Sequence, residues 1–466
     1  MSTQQVLDPA TRAYRTTNPA TGQVLQVWDR LPDDQAAAFL TRAHDGFLSW
    51  REVPRALRAA CLRRVADLID GHTEDFARLV TSEMGKPYPQ SVHGVGLASS
   101  MLRYYAEHGE TWLADEDITI PGFSRTVIRR EPMGVVLGIE PWNGPQYMAM
   151  RVAAPNLMLG NTVLIKPHEI TAGSTLLFDE LFVEAGFPVG VYQTAMLSTN
   201  QVSTMIADPR VRAVTLTGSD RAGSAVAEQA GRHLKPVVLE LGGSDAFIVL
   251  DSADPVSAAT TAASCRLVEA GQVCVSPKRV IVTEKNADRF IEHYAEHFRA
   301  QHVGDPFDPA TTIGPLSSRA AVETLHGQLQ DAIDKGATVV VPGGPIEGPG
   351  AFFAPAVLTE VTPEMRLYSE EAFGPVAVIY RVPDATAAVE LANSSKYGLG
   401  GTVLGHTGEA ESVARQLDIG MVGINTWFGG PIEAPFGGTK SSGFGRELGG
   451  RAGMDQFANI KTYGFV

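Results

Sequence analysis

At 466 residues the chain is too long for one ordinary hydrophobic core, and its length alone suggests about three domains. A hydrophobic content of 44% and a charged content of 19% exclude a disordered chain. A net charge of −14 disfavours nucleic acid and anionic membrane surfaces as partners. Three scattered cysteines, Cys61, Cys265 and Cys274, argue against a disulfide framework and for a reducing compartment, by default the cytoplasm. The opening MSTQQVLDPATRAYRTTNPATG has no basic segment followed by an apolar run, so no secretory signal is expected. No unbroken apolar stretch of about 18 residues predicts a membrane span.

In chain order, apolar residues at three- and four-residue spacing predict helices over 33–50, 55–69 and 92–113. Residues 118–129 alternate apolar and polar around Pro121-Gly122, which reads as a β-hairpin. From about 134 onward, short Val- and Ile-rich runs at 135–139, 163–165, 213–216, 237–239 and 247–250 alternate with helical stretches. That alternation predicts βαβ units around a largely parallel sheet. A second series follows Cys274, with a strand at 279–283 and an amphipathic helix at 286–301 that turns Phe290, Ile291, Tyr294 and Phe298 inward. The loop 342–350 reads as a surface turn, and 458–466 as one more strand. An exposed hairpin with a terminal strand is an aggregation liability unless another subunit covers it, so oligomerisation is expected.

The residues that carry chemistry sit at strand ends and in glycine-bounded loops. Glu240 lies in Leu239-Glu240-Leu241-Gly242-Gly243, where a carboxylate can serve as a general base. Cys274 follows in Gly271-Gln272-Val273-Cys274, 34 positions on (274 − 240), and can serve as a thiolate nucleophile. Asn143, in the Pro-bracketed loop Pro141-Trp142-Asn143-Gly144-Pro145, offers a side-chain amide to a developing oxyanion. Each has a plain structural alternative: an inert core thiol, a salt-bridge acid, a turn asparagine. Cys265, on a predicted helix, is read as a core thiol. The standard G-x-G-x-x-G fingerprint is absent after any predicted strand. Gly218-Ser219-Asp220-Arg221-Ala222-Gly223-Ser224 still places backbone N–H groups between a strand and a helix N-terminus, where a pyrophosphate is favoured.

Taken together, these segments resemble the aldehyde dehydrogenase superfamily. The resemblance runs from Asn18-Pro19-Ala20-Thr21-Gly22 to Pro435-Phe436-Gly437-Gly438 and Ser442-Gly443-Phe444-Gly445-Arg446-Glu447. It implies an α/β fold with two Rossmann-like parallel-sheet domains and a β-hairpin oligomerisation element. The expected division gives a dinucleotide-binding domain over 1–115 and 133–241 and a catalytic domain over 242–453. The oligomerisation element falls at 116–132 and 454–466, giving a homodimer or homotetramer. The implied reaction oxidises an aldehyde to its acid: Cys274 forms a thiohemiacetal, Asn143 holds its oxygen, and Glu240 activates the water that hydrolyses the thioester. The resemblance assigns the cofactor to Trp142, Lys166, Glu169, Gly218, Ser219, Glu371 and Phe373. An acid at 169 would bond the adenosine ribose and repel a 2′-phosphate, so NAD is expected over NADP, with NADP possible. No metal site is expected.

For the substrate, Leu241-Gly242-Gly243-Ser244-Asp245 is similar to the succinate-semialdehyde dehydrogenase branch, and Arg151 matches an arginine that this branch uses to bind the substrate carboxylate. Glu269, Val268 and Gly144 depart from the pattern. An acid at 269 could perturb the thiol or repel an anionic substrate, and Gly144 could widen the pocket. With Trp427 to Pro431 near the expected substrate mouth, these departures leave larger or aromatic aldehydes open. A cofactor-independent thiol hydrolase is the rival from another class, and it would leave Lys166, Glu169, Glu371 and Phe373 without a role. A non-catalytic scaffold ranks last, because both nucleophile and base are present. Relatives that phosphorylate or form acyl-coenzyme A handle the thioester differently, and an available Glu240 favours simple hydrolysis.

Overall fold

The computed structural model describes residues 14–466. The first thirteen residues, on which most of the reading of the chain start rests, lie outside the described residues. Helices Asp33–Trp50, Arg55–Gly71, Thr73–Met84 and Tyr88–Trp112 build the first part of the chain. The last of these begins four residues before its predicted start, because Pro89 sits in the first turn, where a missing N–H costs nothing. Thr73–Met84 is not among the predicted helices. It buries Phe76, Ala77, Val80 and Met84 and ends at Gly85, whose φ of +84° and close approach to Pro315 leave no room for a side chain.

Two sheets carry the rest. The first has six strands in the order Gly443–Phe444, Val237–Glu240, Val211–Thr217, Val135–Ile139, Thr162–Lys166, Tyr192–Thr194. All are parallel except the two-residue edge strand from late in the chain, which runs antiparallel to Val237–Glu240. The second has seven strands, ordered Thr338–Val341, Ala356–Thr359, Val376–Val382, Arg279–Thr283, Ala246–Val249, Gly400–Leu404, Met421–Ile424. Only Thr338–Val341 runs antiparallel there. Parallel strands covered by helices on both faces need near-continuous apolar runs, as Val280, Ile281 and Val282 illustrate, each 0% exposed. The amphipathic helix Glu284–Arg299 buries Phe290, Tyr294 and Phe298 on the second sheet's core, with Ile291 partly buried beside them.

A third, three-stranded sheet orders Ala458–Phe465, Arg125–Pro132 and Glu116–Ile118, all antiparallel. The hairpin and tail strand thus pair with each other, eight residues against eight. The tail strand is the sheet's edge and leaves Ile460 and Phe465 about half exposed. The loop expected as a plain surface turn contributes a short strand, Gly344–Pro345, paired with Phe353–Ala354. Among the described residues no helix is long and apolar enough to cross a membrane.

Candidate active site

The carboxyl ends of the first sheet's central strands lie side by side: Ile139 opposite Lys166 and Leu216, and Thr217 opposite Glu240. The segments that follow carry Trp142 and Asn143, then Glu169, then Gly218 and Ser219, with Glu240 ending its own strand. A crevice at the carboxyl ends of parallel strands is where open α/β sheets bind ligands. The second sheet meets this edge the other way round. Cys274 precedes strand Arg279–Thr283, and Glu371 and Phe373 precede Val376–Val382, at the amino ends of adjacent parallel strands.

The Cys274 loop is held from several sides. Glu269, Ala270 and Gly271 are three successive left-handed residues, with φ of +52°, +55° and +75°, a conformation that non-glycine residues adopt only under constraint. The constraint comes from Arg266, fully buried, which donates to Gly271 O at 3.2 Å, Ser276 Oγ at 2.8 Å and Ala372 O at 2.8 Å. Gln272 Oε1 accepts from Ser317 N–H at 2.9 Å. Lys278 Nζ donates to Val273 O at 2.8 Å and to Cys274 O, and the Trp427 indole N–H donates to Val275 O at 3.1 Å. The Asn143 amide Nδ2 donates to Gln272 O at 3.0 Å, which ties the loop after strand Val135–Ile139 to the backbone two residues before Cys274.

Glu269, the acid read as a hazard to the thiol, pairs with buried Lys86 at 2.6 Å, so its charge is answered locally. Gly144 opens space as its residue type suggests: an added Cβ would meet only Tyr147 Cβ, at 3.9 Å. Cys265 is buried on helix Pro255–Leu267, where burial pushes its thiol up to about 11, as suits an inert core residue. The half-buried Cys274 thiol is pushed up to about 12 by desolvation, against the pull of Lys278 and Arg151.

Glu240 is 2% exposed, and neither carboxylate oxygen has a hydrogen-bond partner among the described residues. Burial and the nearby Glu447 carboxylate hold its proton affinity well above the ordinary carboxylate range, with Arg151 and Arg446 opposing. The strand end is fixed by Gly218 N–H to Glu240 O at 2.9 Å and by Leu241 N–H to Ser442 O at 2.9 Å. Space around it is exact: a Cβ on Gly437 would come within 2.7 Å of Glu240 Oε1. Glu371 joins the two sheets, accepting from Gly243 N–H at 3.1 Å and pairing with Lys278 at 3.0 Å. Trp142 and Phe373 meet edge to face at 5.6 Å.

Arg151, on helix Pro145–Leu159, is almost wholly buried. Its guanidinium pairs with Glu447, lies over the Phe436 ring at 4.4 Å and the Tyr147 ring at 5.5 Å, and leaves Nε without a hydrogen-bond partner among the described residues. Glu447 also accepts from Thr215 Oγ1 at 2.8 Å, and a further buried acid, Glu140, is held strongly toward its protonated form by burial and by Glu447. Glu447, Tyr147, Glu140 and Lys278 had no role in the sequence reading. Tyr147 lies one turn from Arg151 on the same helix, a spacing that could have found it. Glu447 closes the segment Ser442-Gly443-Phe444-Gly445-Arg446-Glu447, but no local pattern shows that it returns from 207 positions beyond Glu240 (447 − 240) to meet Arg151.

Toward the other end of the crevice, Lys166 Nζ donates to Pro167 O at 2.9 Å, lies 5.3 Å from the Tyr14 ring centroid, and is brought down to about 8 by burial. Glu169 pairs with Arg30 at 3.3 Å. Ser219 Oγ caps helix Asp220–Arg232 by accepting from Ala222 N–H at 3.3 Å. A dinucleotide fits this arrangement: a Cβ on Gly218 would have only Leu216 nearby, at 3.6 Å, leaving the turn open. A Cβ on Gly223 would strike Leu241 at 2.5 Å, so the helix packs close behind that turn.

At the junction of the two sheets a cysteine, an amide and a buried acid come together beside a strand-end crevice open enough for a dinucleotide, an arrangement suited to an oxidoreductase. The sequence profile of the aldehyde dehydrogenase family matches residues 6–463, and the chain belongs to that family. A Deinococcus radiodurans protein named succinate-semialdehyde dehydrogenase (NADP+) is 48% identical, over 97% of this chain and 94% of its own. A Mycobacterium avium protein of the same name is 41% identical, over 96% and 95%. The crystal structure of succinic semialdehyde dehydrogenase from Streptococcus pyogenes, in complex with NADP+, superposes with a TM-score of 0.94 at 40% identity, covering 97% of this chain and 99% of that one. These relatives overturn the expected preference for NAD: they are NADP+ proteins. The expectation treated Glu169 as a free carboxylate, whereas here its charge is met by Arg30.

Proposed function

We propose that this chain oxidises succinate semialdehyde to succinate with NADP+, consuming one water and releasing NADPH and two protons. The observation that carries the reading is the hydrogen bond from the Asn143 amide to Gln272 O, which joins an oxyanion donor to the backbone of the Cys274 loop. The names of the relatives support the substrate and cofactor.

In this reading the Cys274 thiol releases its proton to solvent and its sulfur attacks the aldehyde carbon, forming the C–S bond as the carbonyl π pair moves to oxygen. The carbonyl oxygen becomes an alkoxide held by the second N–H of Asn143 and the backbone N–H of Cys274. The bound nicotinamide supplies the hydride acceptor. Glu371, fixed by Lys278 and Gly243, would hold the nicotinamide ribose, with Phe373 and Trp142 lining that part of the site. Glu240 then takes a proton from water, which attacks the Cys274 thioester; the carboxylate leaves and the thiol is restored. The environment that makes Glu240 hold protons readily suits a base that must pick one up near neutrality. Arg151 is the anchor for the substrate's far carboxylate: Glu447 fixes its guanidinium while Nε keeps a donor to spare.

Lys166, Glu169, Gly218 and Ser219 complete the dinucleotide site. The bounds 1–115 with 133–241, 242–453, and 116–132 with 454–466 serve as cofactor, catalytic and subunit-contact units, and the exposed tail strand favours a homodimer or homotetramer. Cysteine usage favours the cytoplasm. The test is NADPH formation by the purified protein from succinate semialdehyde, beside butanal and benzaldehyde and with NAD+ in parallel. The semialdehyde with NADP+ should give the highest kcat/KM. A higher value with either uncharged aldehyde would overturn the substrate.

A further inference from the structure

We infer that Arg30 sets the cofactor preference: by holding the Glu169 carboxylate, it lets a site that carries a ribose-binding acid accept a 2′-phosphate. The inference rests on the NADP+ reading above and assigns it to a residue outside the dinucleotide-binding segments already described. Arg30 lies in the short link between strand Val24–Trp28 and helix Asp33–Trp50, 139 positions before Glu169.

A carboxylate beside an adenosine ribose does two things. It accepts hydrogen bonds from the ribose hydroxyls, and it repels a phosphate carried on the 2′ oxygen. Only the repulsion depends on the carboxylate's net charge, since an ion-paired carboxylate still accepts hydrogen bonds through its remaining lone pairs. Arg30 Nη2 donates to Glu169 Oε1 at 3.3 Å, with side-chain exposures of 13% and 33%, so the pair is only partly screened by water. Lys166 stands in the same cluster, its Nζ over the Tyr14 ring, and the Tyr14 hydroxyl is committed to Leu197 O at 2.9 Å. The His168 ring accepts from Ile170 N–H through Nδ1, and burial with Lys166 nearby keeps it neutral, down to about 3. Among the described residues, the Glu169 carboxylate is thus flanked by Arg30, which pairs with it, and by Lys166, so the acid does not face an incoming 2′-phosphate alone.

The probes are adenosine 2′,5′-bisphosphate, which carries the 2′-phosphate, and adenosine 5′-monophosphate, which does not. Their affinities are measured by calorimetry on the full chain. Arg30→Ala should weaken the bisphosphate about tenfold or more, the loss of one charge-matching contact. The monophosphate should change less than about twofold, which also shows that the variant is folded. Arg30→Ala combined with Glu169→Gln should recover the bisphosphate affinity to within about threefold of the parent, since the charge that Arg30 answers is gone. An Arg30→Ala variant that binds the bisphosphate like the parent overturns the inference, as does a double variant as weak as the single one. A parent protein that does not bind the bisphosphate at all fails the NADP+ reading itself, a distinguishable result.

Discussion

Arg151 and Glu447 form an ion pair in which both side chains are nearly inaccessible, 1% and 3% exposed, close to both Glu240 and Cys274. Burying two charges is justified energetically only when each is well matched, and removing one partner leaves the other stranded at a cost of about 3–5 kcal/mol. Arg151→Ala should therefore lower stability by about that amount in denaturant unfolding. If Arg151 also receives the substrate carboxylate, KM for succinate semialdehyde should rise about tenfold or more while KM for butanal stays within about twofold. Equal losses for both aldehydes would remove Arg151 from substrate binding and leave it as Glu447's partner.

Glu240→Gln keeps the shape of the buried acid and removes its basicity. The first turnover should survive as a burst of about one NADPH per Cys274, followed by a steady state slowed by about 10²- to 10⁴-fold. A pre-steady-state trace decides it. Loss of the burst in step with the steady state would show that Glu240 acts before the hydrolytic step as well.

Asn143→Ala removes the proposed oxyanion donor together with the tie to Gln272 O. The expected result is a fall in kcat of about 10²- to 10³-fold with little change in KM. A change confined to KM would assign the amide to substrate positioning.

The pH behaviour of Cys274 follows from its surroundings. Desolvation pushes the thiol up to about 12, beyond the reach of Lys278 and Arg151 to restore it. Below that value the thiolate fraction grows about tenfold per pH unit. Iodoacetamide labelling of the Cys274 peptide, followed by mass spectrometry in the absence of cofactor, should accelerate in that way from pH 7 to 10 without a plateau. A plateau near pH 8 would show that the free site already stabilises the thiolate.

Much of the architecture could be read from local pattern. The Val- and Ile-rich runs at 135–139 and 279–283 became strands with those bounds, because a strand buried on both faces needs an unbroken apolar run. Cys274, Asn143 and Glu240 could be found because each sits in a short glycine- or proline-marked segment. What escaped were partners supplied from far along the chain. Arg30 meets Glu169, Glu447 meets Arg151, and Gly443–Phe444 adds an edge strand beside Glu240. No periodicity records which distant side chain will match a charge, so the Arg30 partner of Glu169 is invisible in the sequence. Helix Thr73–Met84 was missed because its apolar positions occupy one narrow face of a short, otherwise polar segment.

The most direct test of the chemistry is NADPH formation from succinate semialdehyde by the parent protein and by Cys274→Ala, with NADP+ binding to both measured alongside. Steady NADPH production is expected from the parent, none above background from the variant, and comparable NADP+ affinity in the two. Turnover by Cys274→Ala near the parent rate would contradict the thioester route.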